Sequence, residues 1–332
     1  MGSLRAVFFT DISASSAHVM ARWANAGNTI AACVVSPRPH RVKWRRDRSR
    51  QLLCPDFSMR AVLKRNRASV LSSLRDLTCA HFLQELAALN ADVLISSAYP
   101  NRIPLAVLEM FRCGGVNLHP ALLPQYRGPH PVQAMAIDGA LQSCAGVTLH
   151  RISQGFDEGE IIAQSAATKA DLSRLDQHSI WCMRMAGELV SEALPKFCRD
   201  KIKSRAQPTG DWRYARVKSH DLVLTENMDA EALRVRAHVL GAMGQLRLLL
   251  DGKIYKIAGV AKPESQVGCP PRINWRTVEF DAANGRVCLT RAGHLERRFR
   301  TFSNLMLLRR LGRCWQHTKK KAPAEKLAGA PE

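Results

Sequence analysis

The stretch VNLHPALLPQYRGPHPVQ, Val116 to Gln133, carries an amide and an imidazole to the end of an apolar run. Asn117 and His119 are two residues apart, so on a strand both side chains leave the same face. Two such groups can aim N–H bonds at an oxygen that gains negative charge when an amine adds to an acyl carbon. Donors of this kind contribute on the order of 3 kcal/mol each. An imidazole can also hand a proton to a leaving nitrogen, and a nearby carboxylate would raise its pKa and favour its charged form. Pro120, Pro124, Pro129 and Pro131 stop a regular element from following at once. Gly128 lets the stiffened loop turn sharply or approach a neighbour closely.

The elements that must position these groups alternate along the first third of the chain. LRAVFFT reads as a buried strand, DISASS as a helix cap, AHVMARWANAG as a helix closed by Gly27, and NTIAACVVS as the next strand. PRPHRVKWRRDRSR, Pro37 to Arg50, reads as an Arg-rich loop. AHFLQELAALN is a helix, ADVLISSA a strand, PLAVLEMF a helix and GGVNLH a strand. This alternation predicts an α/β fold with a parallel, Rossmann-like sheet. Ligands of such sheets sit beyond the carboxyl ends of the strands, where Asn117 and His119 would lie. No GxGxxG follows the first strand, which excludes a dinucleotide site of that type. CAGVTLHRI and EIIAQSAATK read as strands on either side of the turn SQGFDEGE, before a long helix from about Leu175 to Asp200.

After SRAQPTGDW the pattern changes. MDAEALRVRAHVL is a helix, and two hairpins are expected at Asp251-Gly252 and Asn284-Gly285. Together they suggest a smaller C-terminal OB-like β-barrel. The organisation read from sequence is residues 1–205, a catalytic domain, 206–299, the barrel, and 300–332, a basic tail. The tail holds NLMLLRRLGRCWQ and Lys319-Lys320-Lys321, a basic amphipathic helix followed by a disordered end.

Lys and Arg number 49 against 28 Asp and Glu, a formal charge of +21 over 332 residues, and such a field attracts polyanions. No apolar run is long enough to span a bilayer, and the start MGSLRAVFFTD does not read as a signal peptide. Ten cysteines are scattered without a CxxC pair or a four-ligand grouping with histidine, so reduced thiols, a cytoplasmic location and no metal are expected.

NLHPALLPQYRG, then GVTLHRI, then GFDEGEIIAQ resemble, in that order, the formyltransferases that use 10-formyltetrahydrofolate. The resemblance covers most of residues 1–205. It implies Asn117, His119 and Asp157 as the catalytic groups: Asn117 and His119 as oxyanion donors, His119 also protonating the leaving folate nitrogen, and Asp157 orienting His119 and assisting proton removal. By composition alone, an Asp in GFDEGE is an ordinary turn residue. The resemblance also places Ala98, Tyr99, Gly155 and Phe156 on the folate side, with 10-formyltetrahydrofolate as co-substrate. Arg127 is expected either to meet an anionic or carbonyl group of the substrate or to tie the loop down.

The acceptor amine is open between two polyanions. For methionyl-tRNA speak the charge and the position of the Arg-rich loop, where the tRNA enzymes carry a basic insertion. There Trp44, Arg45 and Arg46 would supply stacking and phosphate contacts. An amino-sugar nucleotide also carries phosphates and needs fewer charges. A non-catalytic RNA- or membrane-binding protein is the reading from another class, served by Leu307, Leu308 and Leu311 between arginines.

Overall fold

Short runs of four to seven mostly apolar residues, bounded by Ser, Thr and Gly, fold as buried strands once helices cover both faces. In the computed structural model, five of them form the parallel part of the larger sheet: β1 (Arg5–Thr10), β2 (Thr29–Val35), β3 (Ser69–Ser72), β4 (Val93–Ser97) and β5 (Gly115–His119). Two more, β6 (Thr148–Arg151) and β7 (Ile161–Gln164), are antiparallel and complete the order β3-β2-β1-β4-β5-β6-β7. The structure describes residues 2–36, 41–72, 76–167, 175–241 and 244–293, with Met306, Leu308 and Arg309 beyond them.

Strand order reverses between β1 and β4, the switch point beside which ligands of open α/β sheets bind. Thr10 Oγ1 donates to the Ser97 carbonyl there at 2.8 Å. The helix Ala14–Asn25, capped by Ser13, buries Val19, Met20 and Trp23 against the sheet. Its His18 is also buried, its ring stacked on Phe57 at 5.2 Å. Burial, reinforced by Arg22 and opposed by Asp56, pushes this imidazole down to about 3. The unfolded chain therefore binds a proton near pH 6.5 that the folded chain refuses. Stability should fall as the pH drops from 6.5 towards 3, by about 1.4 kcal/mol per pH unit from this group alone. Denaturant titrations of wild type and His18→Gln across that range check it: the variant's slope should be flatter.

The Arg-rich segment is not the loop expected. Arg41–Leu53 is a helix, because it is built from Arg, Lys, Gln and Leu with neither Gly nor Pro to interrupt it. Its one acidic residue anchors it: Asp47 is fully buried and accepts from the backbone N–H of Met59 and Arg60 at 2.9 and 3.0 Å. It also accepts from Ser58 Oγ at 3.0 Å, and so caps the helix Met59–Asn66 with charge. The side chains of Trp44, Arg45 and Arg46, and residues 37–40, lie outside the described residues.

The long helix runs as expected from Leu175, with one turn of wider pitch at Leu189–Ala193 before it closes at Phe197. Pro195 accounts for that turn, since its ring donates no hydrogen bond and crowds the preceding carbonyls.

The C-terminal strands are β8 (Val223–Thr225), β9 (Arg247–Leu250), β10 (Lys253–Ala261), β11 (Arg272–Ile273), β12 (Thr277–Ala282) and β13 (Gly285–Arg291). Asp251 and Gly252 take the positive φ of 48° and 71° that a tight β9–β10 hairpin needs. The second hairpin turns on Ala283 and Asn284, one residue earlier than expected, since Ala282 pairs with Gly285. Asn284 Oδ1 accepts from Ala230 N at 2.8 Å, which fastens the start of the helix Ala230–Leu240.

The closed barrel is not found. Among the described residues the order β11-β12-β13-β10-β9-β8 is an open sheet, with β11 and β8 at its edges. One apolar cluster joins the two parts of the chain: Tyr126 of the proline loop and Ala134 and Met135 of the helix Pro131–Ile137 pack with Leu233 and Leu240 of the helix Ala230–Leu240 and Leu248 of β9. Most of the tail lies outside the described residues; Leu308 packs on Cys54 and Phe57. Among the described residues no helix is long and apolar enough to cross a membrane.

Candidate active site

Strand β5 delivers Asn117 and His119 from one face, and antiparallel β6 sets His150 opposite Asn117 and Thr148 opposite His119. A register shift between Leu149 and His150 re-aims the histidine beside the cluster. Thr148 is fully buried and holds the proline loop. Its Oγ1 donates to the Ala121 carbonyl at 2.7 Å and accepts from Leu123 N at 3.1 Å.

The hub is a carboxylate. Asp157, on the turn between β6 and β7, accepts at Oδ2 from the Gly128 N–H (2.9 Å) and at Oδ1 from Asn117 Nδ2 (3.2 Å). His119 Nδ1 lies 3.5 Å from Oδ2, and His150 Nε2 lies 3.5 Å from Oδ1. Thus Asn117 and His119, neighbours on β5, meet Asp157 from far along the chain, and His150 joins them. The backbone of Asp157 has φ of 57°, the left-handed region that Asp tolerates better than most residues. Gly128 has φ of 118°, and a Cβ there would meet the Tyr214 ring at 3.0 Å, so only glycine fits.

Burial works against the charge on Asp157. His119, His150 and the Gly128 N–H outweigh it and hold the carboxyl well below the usual carboxylate range. The donors from Gly128 and Asn117 act whatever the state of the histidines, so the carboxylate keeps its charge. Asp157 does act to raise His119, as expected, but it does not set the net direction. Burial is the larger effect, helped by His150, and places the imidazole below its ordinary value despite Asp157 and the Tyr126 carbonyl. His119 Nε2 donates to the Tyr126 carbonyl at 2.9 Å, leaving Nδ1 as the basic nitrogen facing Asp157. A proton arriving at Nδ1 has an acceptor waiting.

His150 Nδ1 donates to the Arg151 carbonyl at 2.8 Å, and its Nε2 lies 3.2 Å from Asn117 Nδ2. The amide nitrogen of Asn117 is therefore turned to Asp157 and His150, and service to a substrate oxygen requires one of its hydrogens to turn outward. Sequence reasoning passed over His150; the signal is its place on β6, alternating with Thr148 on the face that meets β5.

The folate-side candidates come from two segments. Ala98 directly follows β4 with φ of 56°, and Tyr99 sets its ring edge-on to Phe9 at 5.3 Å. Gly155 accepts from Ser153 Oγ at 3.2 Å, and Phe156 is about half exposed. Arg102, not singled out from sequence, lies over the Phe156 ring at 4.6 Å and brings the two segments together. Arg127, expected either to meet the substrate or to tie the loop down, is engaged within the chain: its Nε and Nη2 donate to Gln207 Oε1 at 3.0 and 2.8 Å. Among the described residues no group of three or more His, Cys, Asp or Glu could hold a metal ion.

A family model described as formyl transferase matches residues 4–174, over half of the chain and the whole of this cluster. The chain belongs to the formyl transferase family. Among similar formyl transferases is the methionyl-tRNA formyltransferase of Chloroflexus aggregans, 31% identical over 202 residues, which are 60% of this chain and 62% of that one. That of Thermotoga maritima is 28% identical over 194 residues, 58% of this chain and 61% of the other. The chain thus spans about three fifths of the length of these relatives. Among solved structures, the N-formyltransferase of Helicobacter canadensis, in complex with folinic acid and dTDP-3-aminofucose, is 11% identical with a TM-score of 0.55. It covers 87% of this chain and 99% of its own. HypX of Aquifex aeolicus, in complex with tetrahydrofolic acid, is 19% identical with a TM-score of 0.56, over 77% of this chain and 43% of its own. At these identities the likeness is one of fold.

Proposed function

We propose that this chain transfers a formyl group from 10-formyltetrahydrofolate to a primary amine borne on a polyanion, foremost methionyl-tRNA. The observation that carries the reading is the meeting of Asn117, His119 and His150 around the ionised Asp157. When the amine attacks the formyl carbon, its proton passes to neutral His119 Nδ1, and the Asp157 carboxylate stabilises the imidazolium. An N–H of Asn117, turned outward, meets the oxyanion. The same imidazolium then gives the proton to the departing folate nitrogen, so protons balance over the cycle. Ala98, Tyr99, Gly155 and Phe156 would line the folate side. Residues 1–205 are read as the catalytic unit and 206–299 as a second unit that helps select the acceptor.

The tRNA reading draws on the relatives that match in sequence and on the charge of +21. An amino-sugar nucleotide is the second reading, favoured by a solved sugar-nucleotide complex that matches along 99% of its own length.

The test follows tetrahydrofolate release from 10-formyltetrahydrofolate with methionyl-tRNA, with a panel of amino-sugar nucleotides, and with no acceptor. Release dependent on charged tRNA is expected. Replacing Arg45, Arg46 and Arg48 together by Gln should then raise the KM for tRNA and flatten its dependence on salt, by up to about three counterions' worth of slope. Release only with an amino sugar moves the acceptor to the second reading, and no release with any acceptor overturns the transferase reading.

A further inference from the structure

The segment joining the two sheets runs through the candidate site. Arg205 exchanges two backbone hydrogen bonds with Ile161, at the start of β7, each 2.8 Å. Two residues on, Gln207 Oε1 accepts from Nε and Nη2 of Arg127, while its Nε2 donates to the carbonyls of Asp157 and Gly159 at 2.8 and 2.7 Å. Farther along, Ala215 N donates to the Arg127 carbonyl at 2.6 Å, and its own carbonyl accepts from His130 N at 2.9 Å. Both donors and both lone pairs of the Gln207 amide are used. One side chain therefore grips the two turns that meet at the cluster: the 127–128 turn, whose Gly128 N–H holds Asp157 Oδ2, and the 157–159 turn. A left-handed non-glycine backbone such as that of Asp157 is strained and persists only where neighbours over-determine it.

We propose that Gln207 is a positioning residue for the transfer reaction: gripping Arg127 and the carbonyls of Asp157 and Gly159, it fixes the Asp157 carboxylate against His119. The residue type follows from the contacts. Glutamate would accept from Arg127 but repel two carbonyls, and asparagine is one methylene too short to reach both sides. The kinetic consequence rests on the formyl-transfer reading; the geometric consequence does not.

Two readouts separate them. In Gln207→Ala, kcat should fall about 10- to 100-fold, as expected when a reacting group is misplaced by an ångström or so. Arg127→Ala should do the same, and the double variant should be no worse than the poorer single one, because the two act as one unit. In parallel, the imidazole 15N shifts of His119 should titrate at lower pH in Gln207→Ala. Asp157 is the group that raises it, against burial and His150. Gln207→Met, which keeps the volume without the hydrogen bonds, serves if the alanine variant does not fold. Wild-type kcat with an unmoved His119 titration overturns the proposal. So does a loss of kcat with His119 unmoved and the two single effects multiplying, the pattern of general destabilisation. If wild type transfers formyl to no acceptor, the reading of function fails, and the His119 titration alone decides the role of Gln207.

Discussion

Asp157→Asn should lower kcat for formyl transfer by about two to four orders of magnitude while the protein stays folded. Asparagine tolerates the left-handed φ of 57° as well as aspartate does, so the turn has no steric reason to move. Its amide oxygen can still accept from Gly128 N or Asn117 Nδ2. What is lost is the negative charge facing two imidazoles. A proton taken up by His119 would then have no counter-ion in a site that already disfavours it, and proton uptake would become the difficult step. Steady-state rates alongside thermal melts check this. A variant that turns over within tenfold of wild type sinks the role given to the carboxylate. The acid side offers a second view. Asp157 is ionised in the folded protein far below the pH at which it protonates in the unfolded chain, so its contribution to stability is present above about pH 4 and is lost as the pH falls through its depressed folded value. Asp157→Asn should not show that part of the acid loss.

His119→Ala is expected to cost two or more orders of magnitude in kcat, with folate affinity changed far less. His119 is buried at the end of β5, its Nε2 held by Tyr126 and its Nδ1 facing Asp157. In the proposed mechanism it takes the amine's proton and returns it to the leaving nitrogen. Single-turnover rates with 10-formyltetrahydrofolate, beside equilibrium binding of tetrahydrofolate, separate chemistry from binding. Near-normal turnover would remove His119 from the mechanism. Loss of folate binding with proportionate loss of rate would make it a binding group instead.

Much of this was legible in the sequence because it depends on local pattern. The Asn-x-His spacing, the proline-stiffened exit loop, the alternation of strand and helix, and the Asp251-Gly252 hairpin each follow from rules that act within a few residues. What escaped depends on partners distant in the chain. His150 matters because of the register of β6 on β5, and Gln207 because a connecting segment threads between two loops. The Arg-rich segment misled for another reason: its charge drew attention to solvent, whereas its buried Asp47 ties it to the next helix. Closure of a barrel is a property of how edge strands meet, and no single hairpin encodes it. The burial that lowers His119 belongs to the assembled site and outweighs the neighbouring carboxylate that a sequence argument can count.

The apolar cluster joining the two parts of the chain bears on how such a chain could change its acceptor. Met135 and Ala134, sixteen and fifteen residues after His119, pack against Leu233 and Leu240, which lie beyond the connecting segment. The C-terminal unit is therefore not a cassette that can be exchanged at residue 205. A graft would have to carry the matching face of the helix Pro131–Ile137, and with it the loop that fixes Gly128 against Asp157. On the proposed reading, in which the C-terminal unit helps select the acceptor, selectivity and catalytic geometry are inherited together, so a new acceptor is reached more readily by changing exposed side chains within the existing units than by recombining them.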